Sequence, residues 1–296
     1  MSWFNAKSLD RGIYYLLALS VSLTVLSTVI VIGLLGKESF VFFQQVPVTE
    51  FLFGTRWEPL LEPKSFGVLP LVSGTFMIVV GAIAFALPCG ILIAVFLSEM
   101  APGKVVAVVK PMLEVLAGIP TVVYGYFALT FVTPLLRVFF PETEIFNAAS
   151  GAIVVGIMIL PMVSSLCDDA FRSLPVALRE GAYALGATSY EVAIKVLIPA
   201  ASPRIGAAVI LAVSRAIGET MAVTLAAGAT PKLTTNPMES IQTMTAYIVQ
   251  VSMGDTQQGG VEYLTCYAVG ALLFLMTLSM NIFANYYITK RSKYSL

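Results

Sequence analysis

The sequence predicts an all-α integral membrane protein that crosses the bilayer six times. Composition is the first reason: 58% of the 296 residues are apolar and 11% are charged, whereas a soluble domain carries about 25% charged residues. The mean hydropathy of +0.88 agrees. Segment length is the second. A helical span needs about 20 apolar residues, and residues 13–35, 68–97, 105–138, 148–167, 205–229 and 262–288 each provide such a run. The third is the placement of lysine and arginine, which gather in cytoplasmic segments. With the N-terminus inside, Lys37, Arg56, Lys64, Arg137 and Lys232 fall outside, Arg215 falls within the bilayer, and the remaining basic residues lie inside. Both termini are then cytoplasmic, and the loops 36–67 and 230–261 are external.

The first span follows Lys7 and Arg11, is longer than the apolar core of a signal peptide and ends without an A-x-A site, so it reads as a retained span. The loop after it, QQVPVTEFLFGTRWEPLLEP, mixes aromatics with acids. Trp57 and the phenylalanines are expected at the lipid interface, where amphipathic rings collect. Residues 1–65 form an N-terminal span and loop, and residues 66–296 the core. In the third span Gly118-Ile119-Pro120 interrupts the apolar run. Proline removes a backbone donor and disfavours helix at the residue before it. Broken backbone at membrane depth is tolerated where it is buried in protein or lines a wet cavity. AGIPTVVYG, residues 117–125, is therefore either an ordinary kink or part of a solute path, with Pro120, Thr121 and Tyr124 as candidate residues.

Between the fourth and fifth spans, residues 172–203 gather much of the charge and predict two short helices. Pro175 suits the first turn of one. Gly186 suits the left-handed position that ends it. Thr188-Ser-Tyr-Glu191 is a capping box that opens the second, which is expected to stop at Pro199. The result is a compact knob on the cytoplasmic side. Tyr183, Ala184, Leu185 and Tyr190 either pack back onto the membrane domain or form a docking face for a cytoplasmic protein.

Several activities are excluded. There is no histidine, so imidazole metal sites and bases are absent, and no G-x4-G-K-[ST] loop for a nucleotide. Cys89, Cys167 and Cys266 lack disulfide or metal spacing. The chain reads as neither an enzyme nor an ATPase, and its energy must come from a partner.

The fifth span contains SRAIGET, residues 214–220, with opposite charges at Arg215 and Glu219. An arginine at the bilayer centre costs about 2.5–3.5 kcal/mol on insertion scales. On a continuous helix, Ala208, Ala212, Arg215, Glu219, Ala222 and Ala226 share one face. Small residues there let a helix or a solute come close. One reading is an internal salt bridge. The other makes Arg215 a fixed cation for an oxyanion, with Glu219 holding it in place and Thr220 and Thr224 adding hydroxyls.

The knob carries a resemblance. Glu180-Gly181-Ala182, three residues, Gly186, nine residues, then Val196-Leu197-Ile198-Pro199 is similar to the E-A-A-x3-G-x9-I-x-L-P motif of permease subunits of ATP-binding-cassette importers. The resemblance implies a MetI-like type I permease whose coupling helix sits in a groove of an ATPase subunit. Glu180, Gly181, Ala182, Tyr183, Leu185, Gly186 and Pro199 are then the docking residues. AGIPTVVYG, LREGAYALGAT and SRAIGETMAV resemble the C-type permease of phosphate-specific importers. That likeness implies a bacterial inner-membrane heterodimer with an A-type permease, two ATP-binding subunits that hold ATP and magnesium, and an external phosphate-binding protein. The chain itself holds no cofactor. Another oxyanion, such as sulfate or molybdate, fits the knob motif equally well. An ion-coupled secondary transporter suits the broken span and buried charges but leaves the knob without a role.

Overall fold

The computed structural model describes residues 6–254 and 259–292; Lys293 and residues 255–258 of the second loop lie outside them. Among the described residues, six helical segments are long and apolar enough to cross a membrane: Asp10–Gln45, Leu69–Met100, Thr121–Phe139, Ala148–Arg172, Ser189–Ile217 and Val261–Ala284. The first belongs to helix α1 (Ala6–Gln45), most of whose length is exposed and apolar. Hydroxyls along its exposed stretch bond within the helix, Ser20 donating to Leu16 O and Thr24 to Ser20 O, as suits a helix facing lipid, whereas Ser39 near its end donates to Tyr267 O. A short helix α2 (Val48–Phe53) and a two-stranded sheet, β1 (Trp57–Glu58) against β2 (Ser65–Phe66), follow. The sheet straddles the expected boundary at 65/66.

The centre of the fold is helix α3 (Leu69–Val95) against helix α7 (Ala148–Arg172). Small residues allow the approach. A Cβ at Gly90 would meet Val163 Cγ1 at 2.6 Å, and one at Gly156 would meet Phe85 Cδ1 at 2.8 Å. This is close packing of the kind membrane helices use in place of a hydrophobic driving force. Asn147 caps α7, accepting from Ser150 N at 2.7 Å.

Three expectations are corrected. Trp57 is not at an interface. It is 1% exposed, within a cluster with Phe42, Phe51, Phe66 and Tyr247. Trp57 and Tyr247 meet edge to face at 4.9 Å between ring centroids, a geometry the ring quadrupole favours. The chain crosses itself there at two glycines: a Cβ on Gly67 would come within 2.2 Å of Gly54 C. The cluster closes the end of the molecule where α1 finishes, with helix α12 (Met244–Met253) as its other wall.

The third span is not one bent helix. Helix α4 (Gly103–Ala117) stops before Pro120, and a separate run begins with helix α5 (Thr121–Phe127) and continues through wider, π-type turns into helix α6 (Thr133–Phe139).

The second helix of the knob is not short. Helix α8 (Val176–Ala184) stands free, but the capping box opens helix α9 (Ser189–Glu191), which runs on without a stop at Pro199. The backbone widens over Val192–Leu197, so Pro199 enters at the first turn of helix α10 (Ile198–Ile217). A first-turn residue needs no amide hydrogen. The fifth span therefore begins at the knob itself. Helix α11 (Met221–Ala227) follows a break, and helix α13 (Val261–Ser292) packs against α1, α10 and α12.

Candidate functional site

Two helix breaks and the knob make up the candidate site. The first break, Gly118-Ile119-Pro120, is braced from within. Tyr124, 5% exposed, donates its hydroxyl to Leu116 O at 2.7 Å. That carbonyl belongs to the last turn of α4, whose acceptors have no intrahelical partner. Tyr124 holds the break together here and does not face open space. Pro120 and Val122 are exposed and Thr121 half-buried, so the open edge of the break is formed by these residues.

The second break lies between α10 and α11. Gly218 ends α10, and Glu219, 5% exposed, accepts Ala222 N–H on one carboxylate oxygen at 3.2 Å. A carboxylate is favoured at a helix N-terminus. The Glu219 carbonyl accepts from Thr245 Oγ1 at 2.8 Å, which ties the break to the first turn of α12. Thr220 donates to Gly218 O at 3.1 Å, and Thr224 donates to Thr220 O at 2.7 Å.

The expected continuous face is thus interrupted. Glycine and the Glu219 cap start a new helix after residue 218. The small residues Ala208, Ala212, Ala222 and Ala226 are buried in the protein's own core. Among the described residues no ion pair joins Arg215 to Glu219. Arg215 stays exposed in the last turn of α10, where a cation complements the helix dipole.

The two breaks are neighbours. α5 packs on α11 with Gly125 at the crossing, where a Cβ would sit 2.7 Å from Leu225 Cβ and 3.1 Å from Ala222 O. Each of these two helices begins just after a break, α5 after Pro120 and α11 after Gly218, and Arg215 lies about one turn before the second break.

The knob has an exposed tip. Leu185 is 91% and Tyr190 65% exposed, with Tyr183 also open. Glu180, Gly181, Gly186 and Pro199 are exposed as well, while Ala182 is half-buried against the core. Gly186 takes φ +82°, the left-handed turn expected of it. Its amide donates to Tyr183 O at 2.9 Å, and Ala187 N donates to Ala182 O at 3.1 Å. Thr188 and Glu191 complete the reciprocal cap.

A charged seam beneath the knob escapes the sequence reading. Asp168, 2% exposed, receives Lys110 Nζ at 2.6 Å and Arg172 Nε at 2.9 Å. Beside them a cleft of about 330 Å³ is lined by Lys110, Glu114, Ser164 and Ser165. Arg179 Nε meets Glu99 Oε1 at 2.9 Å. The i, i+4 spacing of Asp168 and Arg172 was the available signal; nothing in the sequence links Glu99 to Arg179.

Comparison with known proteins agrees with this fold. Residues 86–293 match the family model of the binding-protein-dependent transport system inner membrane component. A probable ABC transporter permease protein, YqgH of Bacillus subtilis, is 37% identical over 93% of this chain and 87% of its own. The phosphate transport system permease protein PstC of Mesorhizobium japonicum is 33% identical, over 80% of this chain and 77% of its own. Among solved structures, a bacterial ABC transporter that imports the acidic polysaccharide alginate aligns with TM-score 0.64 at 16% identity, covering 96% of this chain and 98% of that one. The MetNI methionine ABC transporter aligns with TM-score 0.56 at 17% identity, covering 76% of this chain and 94% of that one.

Proposed function

The chain belongs to the binding-protein-dependent transport system inner membrane components, the permeases of ABC importers, and on that premise we propose that the solute it passes across the membrane is inorganic phosphate. Relatives named as phosphate permeases, at 28–33% identity, support the choice of solute. The observation that carries it is the exposed Arg215 about one turn before the second of two helix breaks, whose following helices pack on each other. A guanidinium offers a planar fork of donors and a permanent charge, which suits a tetrahedral oxyanion. Thr220, Thr121 and Pro120 border the same breaks. Glu219 sets the shape of the second break through its cap and does not hold Arg215.

The space in front of Arg215 is closed by a second, A-type permease, so that the path runs between two subunits. Two ATP-binding subunits supply the drive, holding ATP and magnesium themselves. They grip the knob at Glu180, Gly181, Tyr183, Leu185 and Gly186, with Ala182 beneath and Pro199 at the root of α10. An external phosphate-binding protein delivers the solute at the opposite end, and both termini lie in the cytoplasm.

The test is reconstitution in liposomes with an A-type permease, the ATPase and a loaded binding protein. Phosphate is expected to stimulate ATP hydrolysis and to accumulate, and sulfate to do neither. Stimulation by sulfate alone would reassign the solute.

A further inference from the structure

The knob must be attached to the spans if its motion is to move them, and apolar packing attaches it weakly. Helix α8 has no fully buried residue. Its strongest polar anchor is Arg179, which lies on the side of α8 turned toward the membrane domain. The Arg179 side chain is 18% exposed and that of Glu99 4%. Arg179 Nε bonds Glu99 Oε1 at 2.9 Å, and Arg179 Nη2 donates to Phe171 O at 2.8 Å. One guanidinium thus clasps three elements: the knob, the end of the second span and the end of α7.

Glu99 sits in a distinctive place. The second span ends in a wider π-type turn, Phe96–Met100, a local geometry that is costly in an α-helix and recurs at functional sites. Leu97 of the same turn is reached by Arg172 Nη2 at 3.5 Å, a weaker parallel tie from α7. Glu99 is buried enough that losing its partner would leave an uncompensated charge, which is strongly destabilising for the contact.

We propose that the Arg179–Glu99 pair is the rigid link that carries motion of the knob into the second span. The proposal rests on the reading of the knob as the ATPase dock. Arg179 and Glu99 are positioning residues: both charges face the membrane domain, the partner meets the exposed tip of the knob at Leu185, and the solute meets neither charge. Because α3 packs along α7 and against α10, a shift at residues 96–100 spreads to the helices that hold both breaks.

The test uses the complete reconstituted complex. Glu99→Gln and Arg179→Gln permeases are expected to co-purify with the ATPase subunits and to hydrolyse ATP, while solute moved per ATP falls about tenfold, a typical size for a coupling effect. A Glu99→Cys/Arg179→Cys variant, with Cys89, Cys167 and Cys266 replaced by alanine, should be uncoupled when reduced. It should regain coupled transport when a short bifunctional thiol reagent joins the two positions. Normal coupling in both glutamine variants overturns the proposal. So does loss of ATPase co-purification, which would make the pair part of the docking surface, and so does transport that stops on cross-linking. Failure of the docking reading looks different: the unaltered chain would then bring down no ATPase subunit.

Discussion

Glu219 directs its carboxylate to the Ala222 amide at 3.2 Å, while Arg215, four residues earlier, remains exposed. The two opposite charges, four residues apart, are therefore not partners of each other. Glu219→Ala removes a helix-capping acceptor and should cost about 0.5–2 kcal/mol, read as a lower melting temperature of the purified permease. Arg215→Gln should leave melting unchanged and reduce uptake of labelled phosphate. Equal uptake by Arg215→Gln and the unaltered chain would remove Arg215 from the path.

The turn at Gly186 depends on conformation, not on space. Nothing lies within 4 Å of a Cβ built there, yet φ is +82°. Gly186→Val should cost about 1–2 kcal/mol locally and displace Leu185. The expected result is ATP hydrolysis that no longer responds to loaded binding protein. A fully coupled variant complex would dismiss the role of the turn.

Leu185 and Tyr190 expose apolar surface without supporting the fold. Leu185→Asp and Tyr190→Asp should leave the melting temperature of the isolated chain unchanged and weaken capture of the ATPase subunit. Undiminished capture by both would place the dock elsewhere.

Trp57 anchors the cap at the opposite end, 1% exposed among five aromatic neighbours or near neighbours of its cluster. Trp57→Ala should cost about 3–5 kcal/mol, the usual loss for truncating a large buried aromatic. Faster proteolysis between residues 46 and 68, with the knob end intact, is the measurement. A ring resting in lipid would not give that pattern.

The loop after α11 should respond to acid. The hydrogen bond from Lys232 holds Glu239 below its ordinary value of 4.5, with Thr234 and Asn236 helping. A carboxylate lowered in the folded state contributes stability above its unfolded value and loses it as pH falls through the folded one. Protection of the amides in residues 230–243, corrected for the intrinsic pH dependence of exchange, should therefore fall only on acidification below 4.5. Glu239→Gln should flatten that response.

The membrane fold could be read from the chain because the bilayer imposes a length and a composition on every span. The knob could be read because its signals are local: Gly186 for a left-handed turn, and Thr188 with Glu191 for a cap. Trp57 was misplaced for the opposite reason. An aromatic in a polar loop suits an interface and a buried cluster equally, and the choice depends on Tyr247, 190 residues away. Pro199 misled because the stop it implies vanishes once the preceding turns widen.

Six spans, a knob motif of fixed spacing and a charge of each sign around the end of the fifth span follow from the order of residues, since each depends on near neighbours or on bulk polarity. Folding in three dimensions chose the rest. It ended α10 at Gly218 and gave Glu219 to a helix cap. It laid one break beside the other through Gly125, and it joined Arg179 to Glu99 across 80 residues. These outcomes turn on which groups meet after distant segments pack. No local pattern encodes that meeting, because the energy of a buried charge or a close backbone contact exists only once its partner has arrived.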